Sequence, residues 1–375
     1  MKIVLAPDSF KESMSASQAV AAMRDGVLSV LPDAECVGVP MADGGEGTVD
    51  AVVDALGGEL ITVEVADPLG RPVHAKYGYI ADHKLAVVEM ATASGLELVA
   101  PADRDVLRAS TFGVGQLIIS ALDHGASELL IGLGGSATND GGAGMLTALG
   151  AELSDADGTP LPPGGAALAR LDRIDVSGLD PRLADIRIRI ASDVTAPLLG
   201  TGGASAVFGP QKGATPADVE TLEAGLARLV AVTETALGRA RPELPGAGAA
   251  GGLGFALLDF LGAECNPGVE LIAETVGLEQ ALAGADWVFT GEGSVDAQTM
   301  LGKTPFGVAQ AAGRTGTRVV IFAGRVAPDA DVLLDNGVDR LVAITARGTP
   351  IEQALRDGRI ALTRAAAEVS RAISG

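Results

Sequence analysis

Lys2-Ile3-Val4-Leu5-Ala6-Pro7-Asp8-Ser9-Phe10-Lys11 opens the chain with an unbroken apolar run that passes straight into a polar loop. A short run without alternation is the pattern of a parallel strand covered on both faces. Residues 16–31 continue as a helix capped by Ser13 or Ser15, residues 35–40 as a strand, 48–56 as a helix and 59–65 as a third strand. The far end of the chain repeats the arrangement. Residues 286–290, 318–323 and 339–345 read as buried strands, separated by helices near 305–312 and 329–336, and a closing helix covers 350–373. Two βαβαβ halves at opposite ends predict one doubly wound, Rossmann-like parallel sheet made from both termini, with a second α/β domain inserted between them. The expected division assigns residues 1–70 and 285–375 to the discontinuous domain and 71–284 to the insert.

The insert has another texture. Residues 73–80 and 85–90 read as a hairpin around Asp82-His83, so its sheet is expected to be mixed. Residues 111–124 form an amphipathic helix pattern, and 128–132 and 186–192 read as strands. Thr215-Pro216-Ala217-Asp218 combines a capping threonine, a proline at the first helical position and an acid in the first turn, which opens a long helix.

Composition removes whole classes of function. Acidic residues number 48 against 27 basic ones, a net charge of −21, and that field repels nucleic acid and anionic membrane. Aromatic residues, at 3%, are too few for a base-stacking surface, which leaves a small molecule as the expected partner. Cys36 and Cys265 are too isolated for a disulfide framework or a metal cluster and fit a reducing, cytoplasmic compartment. The first apolar run is too short for a signal peptide, and the Gly/Ala-rich residues 246–262, interrupted by Asp259, only imitate a membrane span. His74, His83 and His124 are scattered, which argues against histidine catalysis. Lysine is scarce, and three of the six, Lys11, Lys212 and Lys303, stand in loops beside Gly, Ser or Gln.

Two pattern matches fail on context. Residues 297–304 end Gly302-Lys303-Thr304 like a relaxed phosphate loop, but the strand before them is expected to stop about seven residues too early and Pro305 follows at once. Residues 246–251 spell Gly-x-Gly-x-x-Gly, yet Pro242-Glu243-Leu244-Pro245 cannot be the buried strand that a dinucleotide site requires.

Four loops carry chemistry. Pro7-Asp8-Ser9-Phe10-Lys11 sits before a helix N-terminus and suits an anion, with Lys11 as a point charge. Met41-Ala42-Asp43-Gly44-Gly45-Glu46-Gly47-Thr48 packs two carboxylates among glycines, which makes sense beside phosphate if a divalent cation bridges them or one removes a hydroxyl proton. Gly132-Leu133-Gly134-Gly135-Ser136-Ala137-Thr138-Asn139-Asp140-Gly141-Gly142 offers hydroxyls, an amide and unhindered N–H groups, a phosphate cradle without a Walker lysine. Asp193 closes an apolar strand near Gly209-Pro210-Gln211-Lys212-Gly213 and is as readily a cap as a catalytic or metal carboxylate. Gly45-Glu46-Gly47-Thr48-Val49-Asp50-Ala51 nearly returns as Gly291-Glu292-Gly293-Ser294-Val295-Asp296-Ala297, and each copy reads as a strand-to-helix loop. Glycine loops, a few lysines and several acids suit phosphoryl transfer, where positioning and electrostatics dominate. They do not name the acceptor.

These blocks also resemble the type I glycerate kinase family. Ala6-Pro7-Asp8-Ser9-Phe10-Lys11, Pro40 to Thr48, Asp67-Pro68-Leu69-Gly70-Arg71, Gly134 to Gly142, Pro210-Gln211-Lys212-Gly213-Ala214, Gly248-Ala249-Ala250-Gly251-Gly252, Thr290-Gly291-Glu292-Gly293, Asp296 and Gly302-Lys303 run in that family's order. Ser192 and Ala196 depart mildly from it, and Ser294-Val295 stands where Arg-Ile is common, removing a charge. The resemblance implies ATP with Mg²⁺ as cofactors, D-glycerate as acceptor, usually giving 2-phosphoglycerate, and a cleft between two domains. The residues themselves do not choose between the 2- and 3-hydroxyl.

Residue by residue, Lys11 and Ser9 are expected to hold anionic oxygens, and Arg71 and Arg325 the substrate carboxylate. Mg²⁺ is expected among Asp43, Glu46, Asp193 and Glu292, with Asp193 or Asp296 accepting the hydroxyl proton. Gly134, Gly135, Ser136, Thr138, Asn139, Gly291, Gly293 and Lys303 are the expected phosphate-binding positions. A kinase for another small hydroxy or sugar acid, and a non-catalytic ligand-binding relative, are the alternatives. Oligomeric state is not legible.

Overall fold

The computed structural model describes residues 1–374 and contains two compact units. One is built from Met1–Asp43, Asp50–Gly58 and the chain from Pro267 onward; the other from Gly44–Val49 and Glu59–Asn266.

The first unit holds a five-stranded sheet in the order Arg340–Ala343, Arg318–Val326, Trp287–Val295, Lys2–Leu5, Glu35–Gly38. Every neighbouring pair is parallel. Ile3, Val4 and Leu5 have no exposure, as a strand buried on both faces demands. Phe289 and Phe322 stack at 5.2 Å and 60° within the core, beside Met23 and Leu362 from the covering helices Ala16–Leu28 and Ile351–Ile373. Ser15, the second of the two expected caps, closes a capping box with Gln18. The chain runs outward to one side from Lys2–Leu5 and to the other from Trp287–Val295, so the order reverses between these two adjacent strands. Ligands of open α/β sheets collect at the carboxyl ends of strands flanking such a reversal.

The second unit holds a six-stranded sheet, Glu264–Asn266, Arg187–Ala191, Glu128–Gly132, Leu85–Glu89, Pro72–Ile80, Glu59–Ala66. The first four strands are parallel and the last two antiparallel, the mixed sheet that the hairpin implied. Residues 59–65 do not join the N-terminal strands as expected. Glu59–Ala66 pairs along its whole length with Pro72–Ile80, and Asp67 closes the turn between them by accepting from the N–H groups of Leu69 and Arg71. A tight turn six residues away outcompetes a distant parallel edge because it closes a far smaller loop. Helix Pro216–Leu237 begins at the expected Thr215–Asp218 box. The Gly/Ala stretch forms the buried segment Ala249–Phe260, helical except at Ala250, Gly251 and Gly252, whose left-handed backbone breaks it near its start. No helix among the described residues is long and apolar enough to cross a membrane.

Two local expectations change. The strand expected to end at Thr290 continues to Val295, because Gly291, Glu292, Ser294 and Val295 pair in register with Phe322, Ala323, Arg325 and Val326. Residues 328–336 form a 3-10 helix rather than an α-helix.

Candidate functional site

In the first unit, three adjacent parallel strands each deliver one acid at or beyond their carboxyl ends. Asp8 follows Lys2–Leu5, Asp43 follows Glu35–Gly38, and Glu292 lies in the extension of Trp287–Val295. Asp8 is 8% exposed. Its N–H donates to the Gly291 carbonyl at 2.9 Å, and its Oδ2 accepts from the Thr304 hydroxyl at 2.5 Å. Burial first, then repulsion from Asp43, pushes its carboxyl up to about 6, against the bonds from Thr304 and Ser9. Glu292 is pushed up to about 7, first by burial and then by Asp8 and Asp43, although Lys303 at 3.6 Å and the Thr299 hydroxyl at 3.4 Å pull the other way. Three mutually repelling acids, of which Glu292 is paired with a lysine, are costly to assemble. Such clusters mark functional sites more often than structural ones.

Lys303 occupies the N-cap position of helix Thr304–Thr315, one residue after Gly302 in a left-handed conformation. Because the preceding strand reaches Val295, the objection that it stops too early falls away. A strand, an eight-residue loop from 296 to 303 and a helix opening at Thr304 are all present. The loop is not a free phosphate nest, since it holds the 3-10 turn Ala297–Met300 with Asp296 and Thr299 in a capping box. Asp296 thus has a structural task in addition to any chemical one.

Of the remaining candidates of this unit, Ser9, Lys11, Gly291 and Gly293 are near the acids in sequence and Arg325 is not. Ser9 is half-buried and gives its N–H to Asp8 at 2.6 Å. Lys11 is exposed in the turn bridged by Phe10 and Met14, and its backbone nitrogen lies 3.7 Å from where a Cβ on Gly293 would fall. Arg325 is exposed and faces Ser294 in register. Gly291 and Gly293 are strand residues rather than a loop. The sequence echo is therefore no structural repeat: residues 45–47 are a loop leading into helix Thr48–Leu56, whereas residues 291–295 are strand.

In the second unit, three predicted loops meet at the carboxyl ends of Glu128–Gly132 and Arg187–Ala191. A Cβ on Gly132 would fall 2.4 Å from the Gly44 carbonyl oxygen, and one on Gly44 (φ +88) 2.8 Å from that of Ala191. Only glycine permits this approach. Gly134 and Gly135 are exposed, Ser136 is half-buried, and Thr138, Asn139 and Asp140 are fully enclosed. Glu46 and Asp193 are both exposed. Arg71 is held by Asp67, Nε to Oδ2 at 2.6 Å, and reaches the Leu98 carbonyl at 3.3 Å.

Several residues with evident work escaped the sequence reading. Asp8 and Thr304 were inside quoted motifs without a role. Glu89 accepts from the Val49 N–H at 2.8 Å and so serves the N-terminus of Thr48–Leu56, next to the anticipated Glu46. Asp140 accepts from the N–H groups of Thr111, Gly142 and Gly144 and from the Thr111 hydroxyl, at 2.8 to 3.1 Å. The only signal for Asp8 and Asp140 was an acid inside an apolar or glycine-rich context.

Among the described residues, no group of three or more His, Cys, Asp or Glu is arranged to hold a metal ion by itself. Mg²⁺ commonly takes one or two carboxylates and completes its shell with substrate phosphates and water. Asp43 and Glu292, whose mutual repulsion with Asp8 a cation would relieve, fit that role.

Strand-end acids, loop lysines and glycine-bearing backbone suit phosphoryl transfer to a small molecule. The sequence model described as the glycerate kinase family matches residues 3–374, and the chain belongs to that family. It is 47% identical over 373 residues to a glycerate kinase of Bacillus subtilis (strain 168), covering 100% of this chain and 98% of the other. It is 46% identical over 374 residues to a glycerate 2-kinase of Escherichia coli (strain K12), with the same coverage. A crystal structure from Salmonella typhimurium LT2, assigned as a glycerate kinase 2, superposes with a TM-score of 0.92 at 46% identity, covering 100% of this chain and 98% of that one.

Proposed function

We propose that the chain transfers a phosphoryl group from ATP to D-glycerate, giving 2-phosphoglycerate, with Mg²⁺ as the metal. The observation that carries this reading is the convergence of Asp8, Asp43 and Glu292 on Lys303 and Thr304 at the reversal point of the parallel sheet, in a member of the glycerate kinase family. The name of the Escherichia coli relative favours the 2-hydroxyl.

Asp43 and Glu292, both in the unit formed by the chain termini, would hold the metal. A metal held there would supply neutralisation of the charge that develops on the phosphate oxygens during transfer. Asp8 keeps the Thr304 hydroxyl and, through its N–H, the Gly291 backbone in place. Lys303 places a point charge beside Glu292 for a phosphate oxygen, near the strand residues Gly291 and Gly293. Gly134, Gly135 and Ser136 would offer backbone N–H groups to phosphate, whereas the expected Thr138 and Asn139 are enclosed. Lys11 and Ser9 hold anionic oxygens of the acceptor or of the moving phosphoryl. Arg325 is the better carboxylate partner of the two arginines, because Arg71 is already held by Asp67. Asp193 or Asp296 would take the hydroxyl proton, with Oδ1 of Asp296 already accepting from the Gln298 N–H.

The test is ADP release with D-glycerate, glycolate, lactate and hydroxypyruvate, followed by enolase without mutase. D-glycerate is expected to be the strong acceptor and enolase to consume the product directly. A different preferred acid supports the hydroxy-acid alternative, binding without ADP release supports a non-catalytic relative, and a product inert to enolase is the 3-isomer. Lys11→Ala is expected to lower turnover about 100-fold or more with an unchanged melting temperature, because Lys11 is exposed and packs little. Near-normal turnover in purified Lys11→Ala refutes its role.

A further inference from the structure

Among the described residues, Lys212 is the only buried lysine, at 2% exposure. It ends the 3-10 turn Pro210–Lys212, and its Nζ donates to the carbonyl oxygen of Thr138 at 2.7 Å. Burial pushes the Lys212 amine down to about 7, and only the charge of Asp140 pulls the other way. Enclosing it for one carbonyl and that neighbour is expensive, and an apolar side chain would avoid the cost. What that carbonyl positions is therefore informative.

Thr138 joins the exposed glycine turn at 134–135 to the enclosed Asn139-Asp140 pair. The same short stretch is fixed from two other sides. Asn139 Nδ2 donates to the Ser205 hydroxyl at 3.0 Å. Gly251 accepts from the Gly141 N–H at 3.0 Å, and a Cβ on Gly251 (φ +67) would fall 2.0 Å from the Thr138 carbonyl oxygen. The residue before it, Ala250, is held at φ 51, a left-handed conformation that a non-glycine residue adopts only when its surroundings impose it. The buried Thr138 Oγ1 and Asn139 Oδ1 have no protein partner, so removing the ammonium would add a third unmatched acceptor.

We propose that Lys212 is a positioning residue for the phosphoryl donor. Its ammonium holds the Thr138 carbonyl, and so presents the backbone of Gly134, Gly135 and Ser136 to nucleotide phosphates without touching them. The inference rests on the reading that this loop receives the nucleotide.

Lys212→Met and Lys212→Gln, made in the full chain, test it by melting temperature and by steady-state kinetics with both substrates. Lys212→Met is expected to raise KM for ATP about tenfold, the size of one lost hydrogen bond to a charged group. KM for D-glycerate is expected to stay within about twofold, a split that marks loss of donor binding alone. Lys212→Gln, whose amide keeps a donor for Thr138 on a side chain one bond shorter, is expected to recover part of the loss. A merely structural lysine would lower the melting temperature and the yield of active enzyme without separating the two KM values. Unchanged KM values, a parallel rise in both, or no recovery in Lys212→Gln overturns the proposal.

If neither variant folds, hydrogen exchange on the unaltered enzyme decides. ATP is then expected to slow exchange at 134–142 and at 209–214 together, and protection confined to 134–142 overturns the proposal. Gly134→Val separates the two levels. If it leaves KM for ATP unchanged, the loop reading fails and this inference with it. If it raises KM for ATP while Lys212→Met does not, only this inference fails.

Discussion

Glu292→Gln is expected to lower turnover about 100-fold or more while making the unit formed by the chain termini more stable at pH 8. Glu292 titrates near 7 in the folded chain against an ordinary 4.5, through burial and the neighbouring Asp8 and Asp43. A raised carboxyl means that the folded state holds its proton longer than the unfolded chain does. Between about 4.5 and 7 stability therefore falls as pH rises, and above 7 the penalty is complete. At about 1.4 kcal/mol per pH unit, that penalty is about 3 kcal/mol. Glutamine keeps the shape, removes the charge and escapes the penalty, although it also gives up the attraction to Lys303. Urea unfolding of both proteins at pH 5 and pH 8 checks this. The variant should gain at pH 8 and hardly differ at pH 5. Equal stability at both values, or full turnover, would mean that Glu292 carries no strained charge.

Asp140→Ala is expected to cost about 4 kcal/mol or more, since three backbone N–H groups and one hydroxyl lose their acceptor inside the core. Burial pushes this carboxyl upward against those same four donors. The acid joins the starts of two helices, Phe112–Asp123 through Thr111 and Ala143–Ala148 through Gly142 and Gly144, where an anion meets two positive dipole ends. A loss of that size lowers the melting temperature by about 10 °C or more. Asp140→Asn should be milder, because the amide oxygen can take the place of Oδ2 and keep the Thr111 and Gly144 bonds, losing only Gly142. Calorimetry that finds Asp140→Ala as stable as the unaltered chain would contradict this account of the loop.

The parallel sheet from both termini was legible because Ile3-Val4-Leu5 and Val319-Val320-Ile321-Phe322 are apolar runs with no polar break, which only a doubly covered strand tolerates. The fate of residues 59–66 was not. Their alternation fits the edge of either sheet, and the deciding interaction is a turn centred on Asp67, whose carboxylate serves two N–H groups. The extension of Trp287–Val295 through two glycines was hidden for a similar reason: glycine usually announces a loop, and here strand pairing with Arg318–Val326 overrides it. At the site, the motifs name loops but do not display which of their members are buried or bonded. Asp8 and Lys212 gain their meaning from burial, and Asp296 takes on a capping task, none of which a linear sequence displays.

The claim on which the rest depends is that the strand-end acids are a cation and nucleotide-phosphate site. The most direct measurement is the rise in melting temperature at pH 8 on adding Mg²⁺ and ADP, compared with ADP and a chelator, for the unaltered chain and for Glu292→Gln. The account predicts a metal-dependent rise of about 5 °C in the unaltered chain at saturating ligand, and almost none in the variant. An equal metal-dependent rise in both would contradict it.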